Sequence, residues 1–160
     1  MNASDILKYG DSFLQGALSG IPDSEWETED VCGWWSAKNI VAHLASFEHM
    51  LCEVLTGFLG GGPTPTLDAH NADPQRFNDV EVDRRKGLSP SETLAEYNAA
   101  HARNMELIGQ IPPEKLREPG TLPWYGMEYA LDDFIVYTYY GHKREHGAQI
   151  NLFKDTLRGR

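Results

Sequence analysis

Cysteine is scarce in this chain. Cys32 and Cys52 are the only two, they are far apart and form no CxxC, which excludes a disulfide-framed scaffold and leaves both as reduced structural thiols. Long apolar runs are missing as well. Nothing approaches the roughly 20 residues needed to span a bilayer, and the opening "MNASDILKYGDSF" has no basic stretch followed by an apolar one. The expectation is a cytoplasmic protein with no membrane partner. Positive charge is in deficit, with 14 Lys and Arg against 24 Asp and Glu, a net charge of -10 and a sequence pI near 4.9. Such a surface repels phosphate backbones, so nucleic acid is not an expected partner. Alternating β-branched segments are absent too, and the stretches that interrupt helical periodicity are rich in Gly and Pro.

What is present is helical pattern. With 160 residues, 41% of them hydrophobic, the chain suits one domain over 1–160, with no internal repeat. A first helix is expected over about Ser4–Ser19, and a second from the N-cap Ser36 to about Leu59, where "GGGPTPT" stops it. "ADPQRFNDVEVDRRKG" reads as a short, solvated helix with Asp73 as N-cap, Pro74 in the first position and Gly87 past its end. "SPSE" at 89–92 is a capping box that opens a third long helix, from Pro90 to about Ile111. "PPEKLREPGTLPWYG" is an irregular connection, and a last helix covers about Ala130–Leu157. The expected fold is all-α, a four-helix bundle with long crossover connections.

Histidine placement carries the functional signal. With His142 at 0° and a uniform 100° per residue, His146 lies at about 40°, with Leu131, Ile135, Thr138, Tyr139, Gln149, Phe153 and Leu157 around them. This puts both histidines in the middle of the apolar stripe. Asp132, Asp133, Lys143, Arg144, Lys154, Asp155 and Arg158 fall on the opposite, wet arc, so a change at Lys143 is expected to alter neither metal binding nor fold. Glu145 stands at the stripe's edge. On the second helix His43 faces inward with Ile40, Phe47, Met50 and Leu51, while Lys38, Glu48, His49 and Glu53 point away. Histidines at i and i+4 on one face, with a third from a facing helix, can converge on one ion. A three-imidazole set suits Zn(II), Ni(II) or Fe(II) and leaves a position open. No HExxH is present, and no Glu stands three residues before any histidine, so zincin and di-iron templates fail and the metal site is expected to be mononuclear.

Around His43, His142 and His146, the inner face of the third helix carries His101, a candidate fourth polar group or general base. Glu145 is a candidate to orient a substrate, and Gln149 to hydrogen-bond a ligand. Trp34, Trp35, Trp124 and Tyr125 are candidates to roof the pocket. His49 and His70 are assigned to solvent.

"WWSAKNIVAHLASFEH" and "YYGHKREHGAQI", together with the middle "HNAD", resemble the DinB-like superfamily over nearly the whole chain, and the ending is similar to its ClbS/DfsB-like self-protection branch. The resemblance implies a four-helix bundle holding a mononuclear metal on three histidines, matched here by His43, His142 and His146. It also puts Asn71 at the rim of the site. Members include thiol-dependent isomerases and S-transferases and a cyclopropane hydrolase. The expected function is thus a metal-dependent hydrolase or thiol-dependent transferase acting on an electrophilic small-molecule substrate. A divalent metal and a low-molecular-weight thiol are the expected cofactors; the alternative is a non-catalytic binding or sequestration protein. Many members are dimers, and an exposed bundle face could pair as a homodimer by two-fold symmetry.

Overall fold

The computed structural model describes residues 2–159. Helix α1 spans Ala3–Leu18 and begins where the Asn2 side chain accepts the Asp5 amide. Helix α2 spans Ala37–Phe58 behind a reciprocal cap. The Asn39 amide donates to Ser36 Oγ, and the Asn39 side-chain oxygen accepts from the Ser36 amide. Helices α3 (Pro65–Ala72) and α4 (Pro74–Arg84) occupy the connection to α5 (Pro90–Ile108), which opens with the expected Ser89–Glu92 box. A single turn, α6 (Pro113–Leu116), follows. Then α7 (Leu131–Phe134) runs through a π-helical segment, Ile135–Gly141, into α8 (His142–Arg158) with helical backbone angles at both junctions. The described residues hold no strand, only an isolated bridge between Cys32 and Trp35, so the all-α expectation stands. No helix among them is long and apolar enough to cross a membrane.

The last helix lies along α1 in the same direction: Gly10 meets Tyr140 and Lys143, Phe13 meets Gly147, and Lys154 Nζ donates to the Ser19 carbonyl. Against α2 it runs the opposite way, with the Tyr139 hydroxyl donating to the Phe47 carbonyl and His142 and His146 facing His43. Helix α5 packs mainly on α2.

Two details differ from the sequence-based expectation. Helix α3 was not anticipated after the glycine stop. Its first amides, Thr66 and Leu67, donate to the Glu53 carboxylate of α2, a cap supplied from another helix and invisible in local sequence. Helix α4 is not simply solvated, because Phe77 and Val82 are buried and Arg85 just beyond it is clamped by Glu81 and Glu96.

A larger difference concerns the last helix. Its buried residues are Leu131, Phe134, Ile135 and Tyr139, then Lys143, His146, Gly147, Ile150 and Phe153. A uniform 100° wheel cannot hold them on one side. The π segment accommodates one extra residue, which moves Leu131 from about -20° to about 80° and Phe134 from about -80° to about 20°. The buried arc is then centred near Ile150 and Lys143 at about 80° to 100°, and His142 at 0° lies on its edge, only half-buried. The mid-stripe placement of the histidines and the wet placement of Lys143 are both corrected by this shift.

Lys143 is 1% exposed and Glu48 0%. Their charges meet at 2.7 Å between Lys143 Nζ and Glu48 Oε1, so Glu48 does not point away from the core either. Lys38, also expected outside, is buried where its Nζ binds Glu27 Oε1 at 2.7 Å and the Lys86 carbonyl at 3.1 Å. The Glu48 carboxylate takes further bonds from α5, from Asn104 Nδ2 at 2.9 Å and at His101 Nδ1 at 3.2 Å. On α1, Asp11 accepts the Tyr97 hydroxyl at 2.9 Å. Each long helix thus contributes polar groups at one level, with one apolar cluster around Leu7, Leu51 and Tyr139 and another around Leu14, Leu44 and Ile150.

The approach of α8 to α1 depends on glycine. A Cβ at Gly147 would lie 2.6 Å from Phe13 Cε1. Gly147→Ala should lower the urea unfolding midpoint by an amount equivalent to about 1–2 kcal/mol, overpacking outweighing the gain in helix propensity. An unchanged or higher midpoint would show that Phe13 yields freely.

Candidate metal centre

Three local structures bring the site together. The turn before α2, with Gly33 at φ 56°, closes the Cys32–Trp35 bridge and sets Trp35 at the helix start. Nearly two turns into α2 comes His43, its ring centroid 4.8 Å from that of Trp35 and 4.8 Å from that of Phe47. The π segment ends as α8 begins, so His142 is the first α-helical residue and His146 stands one turn on.

The three imidazoles converge. His142 Nε2 lies 2.9 Å from His43 Nε2 and 3.0 Å from His146 Nε2, and each residue offers a ring nitrogen within 4.8 Å of the other two. A ring nitrogen has one in-plane position, occupied by either a hydrogen or a lone pair. His142 Nε2 therefore cannot bond both neighbours at once, and the set is over-supplied with nitrogens around one point. His146 Nδ1 lies 2.8 Å from Gln149 Oε1, an acceptor, which places the hydrogen on Nδ1 and leaves the Nε2 lone pair turned toward the other histidines. His43 Nδ1 is buried without a partner.

Electrostatics favour neutral rings. Burial, and then the neighbouring His142 and His146, push the His43 pKa down to about 2. Burial followed by His146 and Lys143 brings His142 down to about 3. His146 is lowered by burial, partly offset by its bond to Gln149 and by Glu145. Neutral, convergent imidazole nitrogens are a donor set suited to a borderline divalent cation, and the residues fit one.

The other candidates fall in different places. Gln149 is at the site, bonded to His146. Glu145 is exposed on the outer side of α8, close enough for its charge to act on His146. None of the hydrogen bonds or ion pairs of His101 reaches the three histidines; its partners are Glu48, Lys143 and, at 3.8 Å, Asp11. Trp35 covers the site, whereas Trp34 is exposed. Trp124 belongs to a groove of about 310 Å³ lined by Glu53, Phe58 and Leu67, and Tyr125 packs against Phe134. His49 is half-exposed and bonds Glu96. His70, expected in solvent, is half-buried with its ring 5.6 Å from that of Phe47, which also lies against His43 and His142. The one sequence sign of this placement was its neighbour Asn71, which is itself exposed.

A family model described as the DinB superfamily matches residues 12–150. No curated protein and no solved structure matches the chain.

The lowered histidine pKa values contribute a definite acid sensitivity to the metal-free protein. Between about pH 6.5 and the folded values, unfolded chains bind protons that the native state refuses, so stability is full above 6.5 and falls as pH drops. Chelated protein should lose roughly 1 kcal/mol for each of His43 and His142 between pH 6 and pH 5. Urea titrations across that range, repeated on the His43→Ala/His142→Ala variant, measure this. A wild-type slope no steeper than the variant's would contradict it.

Proposed function

The chain belongs to the DinB superfamily, and from that premise we propose that it is a divalent-metal-dependent enzyme acting on an electrophilic small molecule, with His43, His142 and His146 as the ligands. The carrying observation is the convergence of three Nε2 atoms, two of them within 3.0 Å of the third. An ion held there supplies Lewis acidity and lowers the pKa of a water or thiol at its open position.

The protein's own groups divide the remaining work. Gln149 holds His146 in the tautomer that presents a lone pair, as a hydrogen-bond partner of a ligating histidine does. Trp35 and Phe47 wall the histidines with aromatic rings and keep water from two sides. His142, the least buried of the three, marks the side from which a substrate enters. In this reading Glu145, exposed on α8 and close enough for its charge to act on His146, orients a polar substrate group.

No protein thiol serves as nucleophile in this reading. Burial pushes the Cys52 thiol up to about 11, so it stays protonated at neutral pH, and a sulfur nucleophile would be a diffusible low-molecular-weight thiol. Hydrolysis and thiol transfer then differ in whether water or that thiol attacks.

A second reading, small-molecule sequestration without turnover, is favoured by one observation: no carboxylate or thiol among the described residues bonds to the three histidines to act as a base. The two readings separate in one experiment. Elemental analysis of untagged protein should find one divalent ion per chain, lost in each of His43→Ala, His142→Ala and His146→Ala. Restoring Zn(II) or Ni(II) to chelated protein should restore turnover of epoxide, maleyl or haloaromatic substrates, with or without added thiol. Stoichiometric metal without turnover would favour sequestration, and no metal after reconstitution would overturn the metal reading.

A further inference from the structure

Resting on the metal reading above, we propose that the Glu48–Lys143 ion pair is the positioning device of the centre. It sets the rotation of α8 against α2 and so aims His142 and His146 at His43.

The argument starts from sequence position. Lys143 follows His142 directly on α8, and Glu48 comes five residues after His43 on α2. One pair of helices therefore meets twice, at the histidines near the edge of the buried arc and at the ion pair deeper within it. On α8 the two contacts are separated by about 100° of azimuth, and on α2 by about 140°. Turning α8 enough to withdraw His142 from His43 also pulls Lys143 Nζ from Glu48 Oε1, now 2.7 Å away. In a site with 0% and 1% exposure, neither charge has water to fall back on.

Both partners are held from a third helix. Asn104 donates to the Glu48 carboxylate and to its backbone carbonyl, each at 2.9 Å, and His101 lies 3.2 Å from the same carboxylate. The ammonium of Lys143 stands 5.4 Å from the centre of the Tyr97 ring and 3.4 Å from His101 Nδ1. With Glu48 fixed by α5, the lysine has one place to put its charge, and the preceding residue's imidazole is carried with it. The π segment, ending at Gly141, brings α8 into the right phase, and the ion pair locks it there.

The test separates positioning from stability. For the full chain, zinc affinity is measured by competition with a chromophoric chelator, and the urea midpoint of the metal-free protein is measured beside it. Lys143→Met should lower both. Glu48→Met/Lys143→Met replaces the pair by apolar groups of similar size, and should bring the midpoint back toward wild type while zinc affinity stays at least about ten-fold weaker, the range expected when a support of the ligands is lost. Lys143→Arg should recover most of the affinity. A double variant that binds zinc as tightly as wild type would overturn the proposal and reduce the pair to a structural role. Should the double variant fail to fold, Glu48→Asp, which keeps both charges and shortens one arm by a methylene, decides by the same readout: weaker zinc binding supports positioning, unchanged binding overturns it. Wild-type protein that takes up neither zinc nor nickel would sink this proposal and the metal reading together. Zinc bound equally by wild type and the double variant sinks this one alone.

Discussion

A carboxylate and an ammonium taken out of water at the centre of the bundle constrain everything around them. Glu48 would be pushed up by its burial, but Lys143 and His101 beside it hold its pKa down to about 2, so it is ionised at neutral pH. The net stability of such a pair is small, since desolvation cancels most of the attraction; the cost of leaving either charge alone is not small, about 3–5 kcal/mol. Helices can therefore slide or turn only if both charges move together. Apolar packing on either side, around Leu51 and around Leu44, tolerates small shifts by comparison. The polar layer between them supplies the register.

The histidines depend on that register. Their rings are neutral because burial disfavours charge, their lone pairs are free because Gln149 holds the proton of His146 on the far nitrogen, and they converge because two helices are held at one rotation. Aromatic rings from Trp35 and Phe47 complete the enclosure without offering a competing ligand. The centre is built by elements from both ends of the chain: the turn before α2 supplies the cover and the last helix supplies two of the three nitrogens.

Much of this was legible in the sequence, in parts that obey local rules. Ser36, Asp73 and Ser89 cap the helices they were expected to cap, because a cap is decided within four residues. The HxxxH spacing and the inward face of α2 bring His43, His142 and His146 together, because helical periodicity holds over short spans. What failed depends on longer range. A single π segment shifts the phase of everything on its far side, so a wheel drawn through Ile135–Gly141 put Lys143 in solvent. Glu48 was read as outward because a charge on a wheel carries no sign of a partner on another helix. The inward face of His101 does not reveal its partners, Glu48, Lys143 and Asp11, which lie on three other helices. The start of α3 was hidden because Glu53 caps it from across a glycine stop.

The lengthwise neighbour of α1 is the last helix, with Ser19 and Lys154 bonded across 135 residues of chain. Closing a loop of that size costs conformational entropy before any contact rewards it. During synthesis α2 and α5 can pair, while α1, whose main neighbours are the π segment and α8, completes its packing only at the end of the chain. The last packing of α1 and the completion of the three-histidine set are then both late events, and a chain stopped before His142 lacks α8 along its first helix and two of the nitrogens at its centre.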